Sequence, residues 1–217
     1  MNADYITISP HSNPNPNRFQ TFTVTFFSNP IVTTVTATPS VVRNWLYRVL
    51  CLHRTRRHKL VVGLGVQWNP SSSIGPPPAA TLQLCIGRQC LIFQLIHATA
   101  VPSSLRRFLA DARNTFVGVW NHSDEAMLRR SKHGLQVHRL VDAREVAAER
   151  NGLSTQMSME KLAEIILGAG DVKKPKKIGR GAWDTHRLSS EQVYACVDAY
   201  VSFELGKALK VWNWEED

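Results

Sequence analysis

The sequence predicts a mixed α/β domain, and three observations support that class. The 217 residues are 43% hydrophobic and 20% charged, which supplies one apolar core and excludes a mainly disordered chain. Leu60–Trp68 is an unbroken apolar run rich in β-branched residues, as expected of a central strand buried on both faces. After it, short β-forming runs alternate with segments of helical periodicity, which is typical of strands joined by helical crossovers.

The residues before this apolar run are predicted to form a tail and an extension. Residues 1–18 are rich in Asn, Pro and Ser, which is typical of a mobile tail. Residues 20–57 are predicted to form a β-hairpin that turns at Asn29-Pro30, followed by a helix that Pro39 opens. We therefore expect a hairpin-and-helix extension before the main domain, which covers residues 58–210.

The main domain is predicted to contain five strands, the first being the apolar run. In chain order, the elements expected after it are strands at Thr81–Ile86 and Cys90–Leu95, a helix at Pro102–Ala110, a strand at Thr115–Val119, a helix at Asp124–His133, a strand at Leu135–Val141, and helices over residues 142–149, 158–168 and 189–209. Three antiparallel strands followed by two that are reached through helices form a ribonuclease H-like sheet of five strands flanked by helices.

The excess positive charge lies in the first half of the chain. The chain has 26 lysines and arginines against 17 acids, and residues 1–110 hold ten of the cations with Asp4 as their one acid. The second half is neutral overall, with 16 cations and 16 acids. A basic field on one side favours a polyanionic partner, most commonly nucleic acid, although a solvated basic surface without a partner gives the same count.

No feature of the sequence points to a membrane or to secretion. No apolar run approaches the roughly 18–20 residues of a transmembrane helix, and the N-terminus lacks a basic segment followed by an apolar one. The four cysteines form no C-x-x-C pair. We therefore expect a reduced intracellular protein without a membrane partner, and residence in the nucleus, the cytoplasm or both stays open.

Three side chains in the second half could carry chemistry. Tyr194 and Asp198 are four residues apart, so a helix places the phenol and the carboxylate on one face. Asp124 directly follows a buried strand in the segment TFVGVWNHSD. Each has an ordinary interpretation when taken alone, since surface Tyr/Asp pairs are common and an acid at a helix start interacts with the helix dipole. Glu125 and Asp142 are weaker candidates, because Glu125 should point elsewhere on its helix and Asp142 is typical of an N-cap.

Taken together, these segments resemble the DEDD 3′–5′ exonucleases of the tyrosine subtype. LVVGLGVQW stands where the first motif is expected, TFVGVWNHSDEAML resembles the second and VYACVDAYVSFELG the third. The likeness covers about residues 58–209, and is strongest to Werner-syndrome-like exonuclease domains and to the plant exoribonucleases that clear fragments from RNA-silencing complexes. It implies metal-assisted 3′–5′ hydrolysis of RNA or single-stranded nucleic acid. It also implies Asp124 and Asp198 as ligands of two Mg²⁺ or Mn²⁺ ions, and Tyr194 as the group that orients the attacking water.

The first motif departs from the family pattern. Its two acids fall on Gly65, which has no ligand atom, and on Gln67, whose neutral carbonyl oxygen is a weak Mg²⁺ ligand. The sequence has no Asp or Glu between Asp4 and Asp111, so no nearby acid can replace them. The expected site is therefore incomplete inside one chain. Three interpretations follow: a neighbouring subunit completes the site in a homo-oligomer, a reduced site holds one ion, or the protein is an impaired pseudo-exonuclease that binds nucleic acid or another protein.

Further side chains are candidates for contact with nucleic acid. Trp120 and His122 follow the fourth core strand and could stack on a base. A basic run before the last helices consists of Lys173, Lys174, Lys176 and Lys177. It could contact phosphates or act as a nuclear import signal, with a solvated loop as the alternative. The cluster Arg54–Lys59 could likewise contact phosphates or be merely solvated. It directly precedes the central strand, at the end opposite the catalytic edge, which favours a structural or assembly role.

Overall fold

The computed structural model describes residues 6–69, 77–169 and 182–213. Within these residues the strands are β1 Ile6–Pro10, β2 Phe19–Phe26, β3 Asn29–Thr36, β4 Leu60–Gln67, β5 Thr81–Ile86, β6 Gln89–Gln94, β7 Asn114–Gly118 and β8 Leu140–Asp142. The α-helices are α1 Pro39–Leu52, α2 Ser103–Ala110, α3 Asp124–Arg130, α4 Ala143–Asn151, α5 Met159–Leu167, α6 Ser190–Val193 and α7 Ala195–Ala208. Short 3-10 turns lie at Arg54–Lys59 and Val211–Asn213.

These strands form one mixed sheet in the order β1-β2-β3-β6-β5-β4-β7-β8. β4, β5 and β6 are antiparallel neighbours, and β7 and β8 extend the sheet parallel to β4. These five strands are the predicted core, so the α/β class is confirmed. The N-terminal hairpin joins the same sheet because β3 pairs in parallel with β6, from Val32 opposite Gln89 to Thr36 opposite Phe93. The extension therefore widens the sheet.

The segment expected to be a mobile tail contains a strand. Ile6–Pro10 pairs antiparallel with β2, with Ile6 opposite Phe26. Ile6 and Ile8 are half-buried against the core, while Thr7 between them is exposed. This alternation of apolar and polar residues is a strand pattern. It was concealed by the Asn, Pro and Ser content of the segment as a whole.

The hairpin between β2 and β3 turns at Phe27 and Ser28, and not at the expected Asn29-Pro30. Asn29 and Pro30 already pair in the ladder, opposite Phe26 and Thr25. The two turn residues have positive φ angles of 44° and 63°. Positive φ at both central residues defines the two-residue turn whose twist matches that of the flanking strands.

Two elements of the second half also differ from expectation. The strand expected at Leu135–Val141 is only Leu140–Asp142, because the residues before it form no ladder and pack on the core instead. The last helix, expected to be continuous from Ser189, is divided into α6 and α7 at Tyr194. Its predicted capping box is present: the Gln192 N–H donates to Ser189 Oγ at 3.2 Å, and the Ser189 N–H donates to Gln192 Oε1 at 2.8 Å.

Helices cover both faces of the sheet. The apolar residues of α1, α2 and α3 pack on one face, and those of α4, α5 and α7 pack on the other. Strands β4 to β7 contribute side chains to both of these cores, as their nearly continuous apolar sequences predict. In the described part of the chain, no helix is long and apolar enough to cross a lipid bilayer.

Helix α7 lies in very close contact with β4. A Cβ on Gly63 would lie 1.8 Å from the carbonyl oxygen of Ala199, so only glycine permits this approach. Further along the helix, a Cβ on Gly206 would lie 2.8 Å from a methyl group of Val61. The helix therefore runs antiparallel to β4, and its first turns lie toward the Gly65 end of that strand.

Candidate active site at the carboxyl edge of the sheet

The residues that the sequence singles out converge on one edge of the sheet. β4, β7 and β8 are parallel, and the carboxyl ends of parallel strands meet at the same edge. Gln67 ends β4, Asp124 follows β7, and Asp142 ends β8. The first turn of α7 carries Asp198, and the packing of α7 on β4 directs that turn to the same end. We call this region the carboxyl edge.

Asp124 starts helix α3 and is half-buried. Its N–H donates to the carbonyl oxygen of Asn121 at 2.9 Å, and the Asn121 side-chain amide donates to the Val141 carbonyl oxygen at 2.9 Å. These bonds tie the loop before α3 to β8. Burial, together with the negative charge of Asp142, raises the pKa of Asp124 to about 7. At neutral pH the carboxyl group is therefore protonated about half of the time.

The two weaker candidates are engaged by arginines. Asp142 caps α4 by accepting the N–H of Arg144 at 3.0 Å, so its predicted capping role is confirmed. The Arg144 guanidinium also contacts both oxygens of this buried carboxylate, at distances from 2.7 to 3.2 Å. Glu125 is exposed on the outer side of α3 and pairs with Arg129 at 2.6 Å. Neither carboxylate is directed into a shared metal site.

Tyr194 lies between α6 and α7 and is only 3% exposed. Burial raises the pKa of its hydroxyl, and the charges of Asp198 and Glu160 raise it further. The phenol therefore stays protonated at neutral pH and can donate a hydrogen bond. Tyr194 keeps helical backbone angles, with φ −52° and ψ −25°, so the four-residue spacing still places it one turn from the half-buried Asp198.

Neutral groups occupy the positions of the first-motif acids. Gly65 and Gln67 lie on the same face of β4 as Gly63, the face toward α7. Gly65 pairs with Gln83 of β5, and a Cβ on Gly65 would lie 2.9 Å from the Gln83 side-chain oxygen. That oxygen is buried and accepts no hydrogen bond from the described residues, while the amide nitrogen donates to Thr81 Oγ1 at 2.6 Å. Sequence reasoning missed Gln83, whose one signal is an amide in the apolar strand TLQLCI.

The described residues do not fit a two-metal site. No group of three or more His, Cys, Asp and Glu side chains among them could hold a metal ion. The carboxyl edge offers the carboxylates of Asp124 and Asp198 and the neutral oxygens of Gln67 and Gln83, while Arg144 already neutralises the charge of Asp142. Two divalent cations carry four positive charges, and these side chains supply at most two negative ones. The described residues of one chain therefore do not supply the ligands that the family resemblance implies for two Mg²⁺ or Mn²⁺ ions.

Trp120 and His122 lie at the rim of the carboxyl edge. Trp120 is 43% exposed, its indole N–H donates to the Met157 carbonyl oxygen at 3.0 Å, and the Arg144 guanidinium lies 3.5 Å from its ring centroid. His122 meets the indole edge-on, with 6.4 Å between the centroids. Arg144 covers one face of the indole, so a base can stack only on the other, and this contact stays a prediction. The basic run Lys173, Lys174, Lys176 and Lys177 lies outside the described residues.

Comparisons with known sequences identify the family of the chain. The family model of the 3′–5′ exonucleases matches residues 73–211. A protein of Arabidopsis thaliana named 3′-5′ exonuclease is 30% identical over 169 residues, which are 76% of this chain and 58% of that protein. The chain therefore spans less than two thirds of the length of this relative. On these matches, the chain belongs to the 3′–5′ exonuclease family, as the resemblance predicts.

RNase D and the EXD2 exonuclease domain are among the solved structures that are similar to this one. RNase D of Escherichia coli, described as an exoribonuclease involved in structured RNA processing, has a TM-score of 0.60 at 19% identity, over 77% of this chain and 43% of that chain. The EXD2 exonuclease domain has a TM-score of 0.49 at 22% identity, over 85% of this chain and 91% of that chain. The likeness to RNase D confirms the ribonuclease H-like fold.

Proposed function

We propose that this protein binds the 3′ end of single-stranded nucleic acid, RNA in particular, at the carboxyl edge, and that one chain alone does not hydrolyse it. The observation that carries the proposal is the loss of the first-motif acids. Gly65 offers no ligand atom. A Cβ added to Gly65 would lie 2.9 Å from the neutral side-chain oxygen of Gln83. Membership of a 3′–5′ exonuclease family supports the 3′ end of a strand as the ligand.

The remaining groups of the edge suit binding. Tyr194 can donate a hydrogen bond to an oxygen of the terminal nucleotide, and the exposed face of Trp120 can stack on a base. The chain has an excess of nine positive charges, which attracts the phosphate backbone. A preference for RNA requires a contact to the 2′-hydroxyl, and Tyr194 and Gln67 are two side chains among the described residues of the edge that can supply it.

Binding and cutting of a labelled single-stranded RNA test the proposal. The binding arm compares a free 3′-hydroxyl with a 3′-phosphate by fluorescence anisotropy, over a range of salt concentrations. We expect tighter binding of the 3′-hydroxyl strand and an affinity that falls steeply with salt. In the cutting arm, the monomeric fraction is incubated with Mg²⁺ or Mn²⁺ beside an Asp198→Asn control, and we expect no shortening from the 3′ end in either sample.

Two results would contradict the proposal. The first is a monomer that shortens the RNA stepwise from its 3′ end and loses this activity in Asp198→Asn. The second is the absence of binding at low salt to either strand. Replacement of Trp120 by Ala identifies the site, since this change should weaken binding of the free 3′-hydroxyl strand about tenfold while leaving the fold intact.

Hydrolysis by a homo-oligomer is the second candidate function. Its support is the retention of Asp124, Tyr194 and Asp198, which together match the second and third motifs of the family. In this version, acids from a neighbouring copy complete the set of ligands for Mg²⁺ or Mn²⁺. The second half of the chain carries 16 acids, so a neighbour has acids to contribute.

Size-exclusion chromatography with light scattering separates the two candidates. If the oligomer is the active form, the activity that shortens RNA from its 3′ end elutes with a species larger than one chain. This activity disappears when the protein is diluted to monomer. Mixing the protein with an excess of the Asp198→Asn variant should then reduce the activity more than dilution alone. If the protein is monomeric at every concentration, hydrolysis by a homo-oligomer is excluded.

A further inference from the structure

A second groove lies at the end of the sheet opposite the carboxyl edge. It has a volume of about 890 Å³ and lies between the β2–β3 turn, the β5–β6 turn, the 3-10 turn Arg54–Lys59 and the C-terminal half of α7. We call it the basic groove. Leu60, which lines it, is seven residues from Gln67 along β4, so the basic groove and the carboxyl edge are about 23 Å apart.

The basic groove carries a net positive charge. Four exposed cations line it: Arg56, Lys59, Arg88 and Lys207. Among the described residues of its lining, Glu204 is the one carboxylate, and it pairs with Lys207 at 2.9 Å. The lining thus has three more cations than acids. Such a surface favours a polyanion over an apolar or a cationic partner.

Aromatic rings lie between these cations. Phe27 and Trp212 are half-buried, and Tyr200 and Phe203 line the groove more deeply, with 6% and 7% of their surface exposed. Lys59 Nζ lies 6.0 Å from the centroid of the Trp212 ring. Grooves that bind single strands use this combination, because phosphates pair with the cations and bases stack on the rings.

The backbone of Phe27 is in a conformation that its side chain disfavours. Its φ is +44°, and a bulky residue with positive φ is strained. Asn, Asp or Gly is the usual residue at this position of a two-residue turn. The Phe27 ring nevertheless lines the groove and packs edge-on against Phe26, with 4.8 Å between the centroids. Strain of this kind clusters at binding sites, where a particular side chain is needed at a particular place.

We propose that the basic groove is a second binding site for single-stranded nucleic acid, which takes the strand at a distance from its 3′ end. Arg56, Lys59 and Arg88 contact phosphates, and a base stacks on Phe27. The inference rests on the proposed function, since both sites bind the same class of ligand. At about 3.4 Å per nucleotide, a stacked strand needs about seven nucleotides to reach from one site to the other, and a more extended strand needs fewer.

The experiment compares strands of about 3 and about 30 nucleotides, because the shorter strand cannot occupy both sites even when it is extended. One variant carries Arg56→Gln with Arg88→Gln. The matched control carries Arg43→Gln with Arg48→Gln, which removes the same charge from the exposed side of α1, outside the groove. A third variant, Phe27→Asn, removes the ring but keeps a residue that tolerates positive φ. Thermal unfolding verifies that each variant is folded.

For the long strand, the groove double variant should lose at least about tenfold in affinity, and its slope of log affinity against log salt should fall by about 1.4, since each lost phosphate contact accounts for about 0.7. Phe27→Asn should lose about tenfold without a change in the salt slope. The control should bind as the unchanged protein does. The short strand should bind all four proteins equally, because it occupies the carboxyl edge alone.

Three outcomes overturn the inference, and they are distinguishable from failure of the proposed function. If the groove double variant binds the long strand as tightly as the control does, the basic groove is not a nucleic-acid site, while binding at the carboxyl edge stands. If groove and control variants lose affinity equally, only total charge matters. If an acidic peptide binds the unchanged protein more tightly than the long strand does, and only the groove double variant loses this binding, the ligand class of the basic groove is wrong. Absence of binding by either strand refutes both proposals.

Discussion

The two ends of the sheet differ in the charges that they present to a nucleic acid. At the carboxyl edge, Gly65 and Gln67 are neutral where a family member is expected to carry acids, and Gln83 beside Gly65 is neutral too. At the opposite end, exposed cations and aromatic rings line a groove of about 890 Å³. One end thus lacks the two acids that the family resemblance implies for metal binding, and the other carries side chains of the kinds that bind single strands.

If our proposals hold, this difference teaches that binding and cutting depend on separable groups of side chains. Carboxylates beside a phosphate backbone are repulsive unless cations neutralise them. A site that lacks two acids therefore binds divalent metal ions more weakly, but its electrostatic attraction for a nucleic-acid strand is not reduced. The following changes test how far the two ends differ, beginning with the largest expected effect.

Arg144 and Arg56 should differ most in their effect on stability. Arg144→Ala leaves the buried Asp142 carboxylate without its partner, so we expect a loss of about 4 kcal/mol in the free energy of unfolding. Arg56 is exposed at the basic groove, and Arg56→Ala should change that free energy by less than about 0.5 kcal/mol. Urea unfolding measures both values, and equal losses would contradict the contrast between a buried ion pair and a solvated cation.

Two glycines of β4 should respond differently to a methyl group. In Gly63→Ala the new Cβ meets the Ala199 backbone oxygen at 1.8 Å, so α7 must move and we expect a loss of about 3 kcal/mol. In Gly65→Ala the new Cβ meets the Gln83 side-chain oxygen at 2.9 Å, and this flexible side chain can turn away at a cost below about 1 kcal/mol. A large loss in Gly65→Ala would show that the Gln83 amide is fixed in place.

Asp124 should make the protein less stable as the pH rises. Its folded pKa is about 7, well above the ordinary value of 3.8, so the folded state holds a proton between pH 4 and 7 that the unfolded state releases. The free energy of unfolding should therefore fall across this window, by about 2 kcal/mol for this partly buried group. Asp124→Asn should lack this fall and be the more stable protein above pH 7. Identical pH profiles for the two proteins would contradict the raised pKa.

Phe27→Asn should have the smallest effect on stability. The change relieves strain at φ +44° and removes the packing of a half-buried ring, so the two contributions oppose each other. We expect a net change below about 1 kcal/mol in urea unfolding. A loss above about 2 kcal/mol would indicate that the ring serves the core and not the groove.

The five-stranded core and the third motif could be predicted because their signals are local. The continuous apolar run of β4 and the capping box at Ser189 each depend on neighbouring residues. The edge strand β1 could not be predicted, since a five-residue alternation is weak beside the composition of the segment around it. The turn at Phe27 and Ser28 was missed because their residue types do not favour positive φ.

The site could be predicted only in part, for a similar reason. The spacing of Tyr194 and Asp198 is local, and the place of Asp124 after a buried strand is local too. The contact between Gln83 and Gly65 joins two strands, so it depends on their register, which periodicity does not specify. The basic groove likewise unites residues from the two turns and α7, which are far apart in the chain.

Titration of the monomer with Mn²⁺ by calorimetry tests most directly whether one chain lacks the ligands for divalent ions. We predict that the unchanged protein gives no more heat than Asp198→Asn, and that Gly65→Asp combined with Gln67→Glu creates a saturable site, because Gln83 can turn away from the new carboxylate. Saturable binding of Mn²⁺ by the unchanged monomer, lost in Asp198→Asn, would contradict the account.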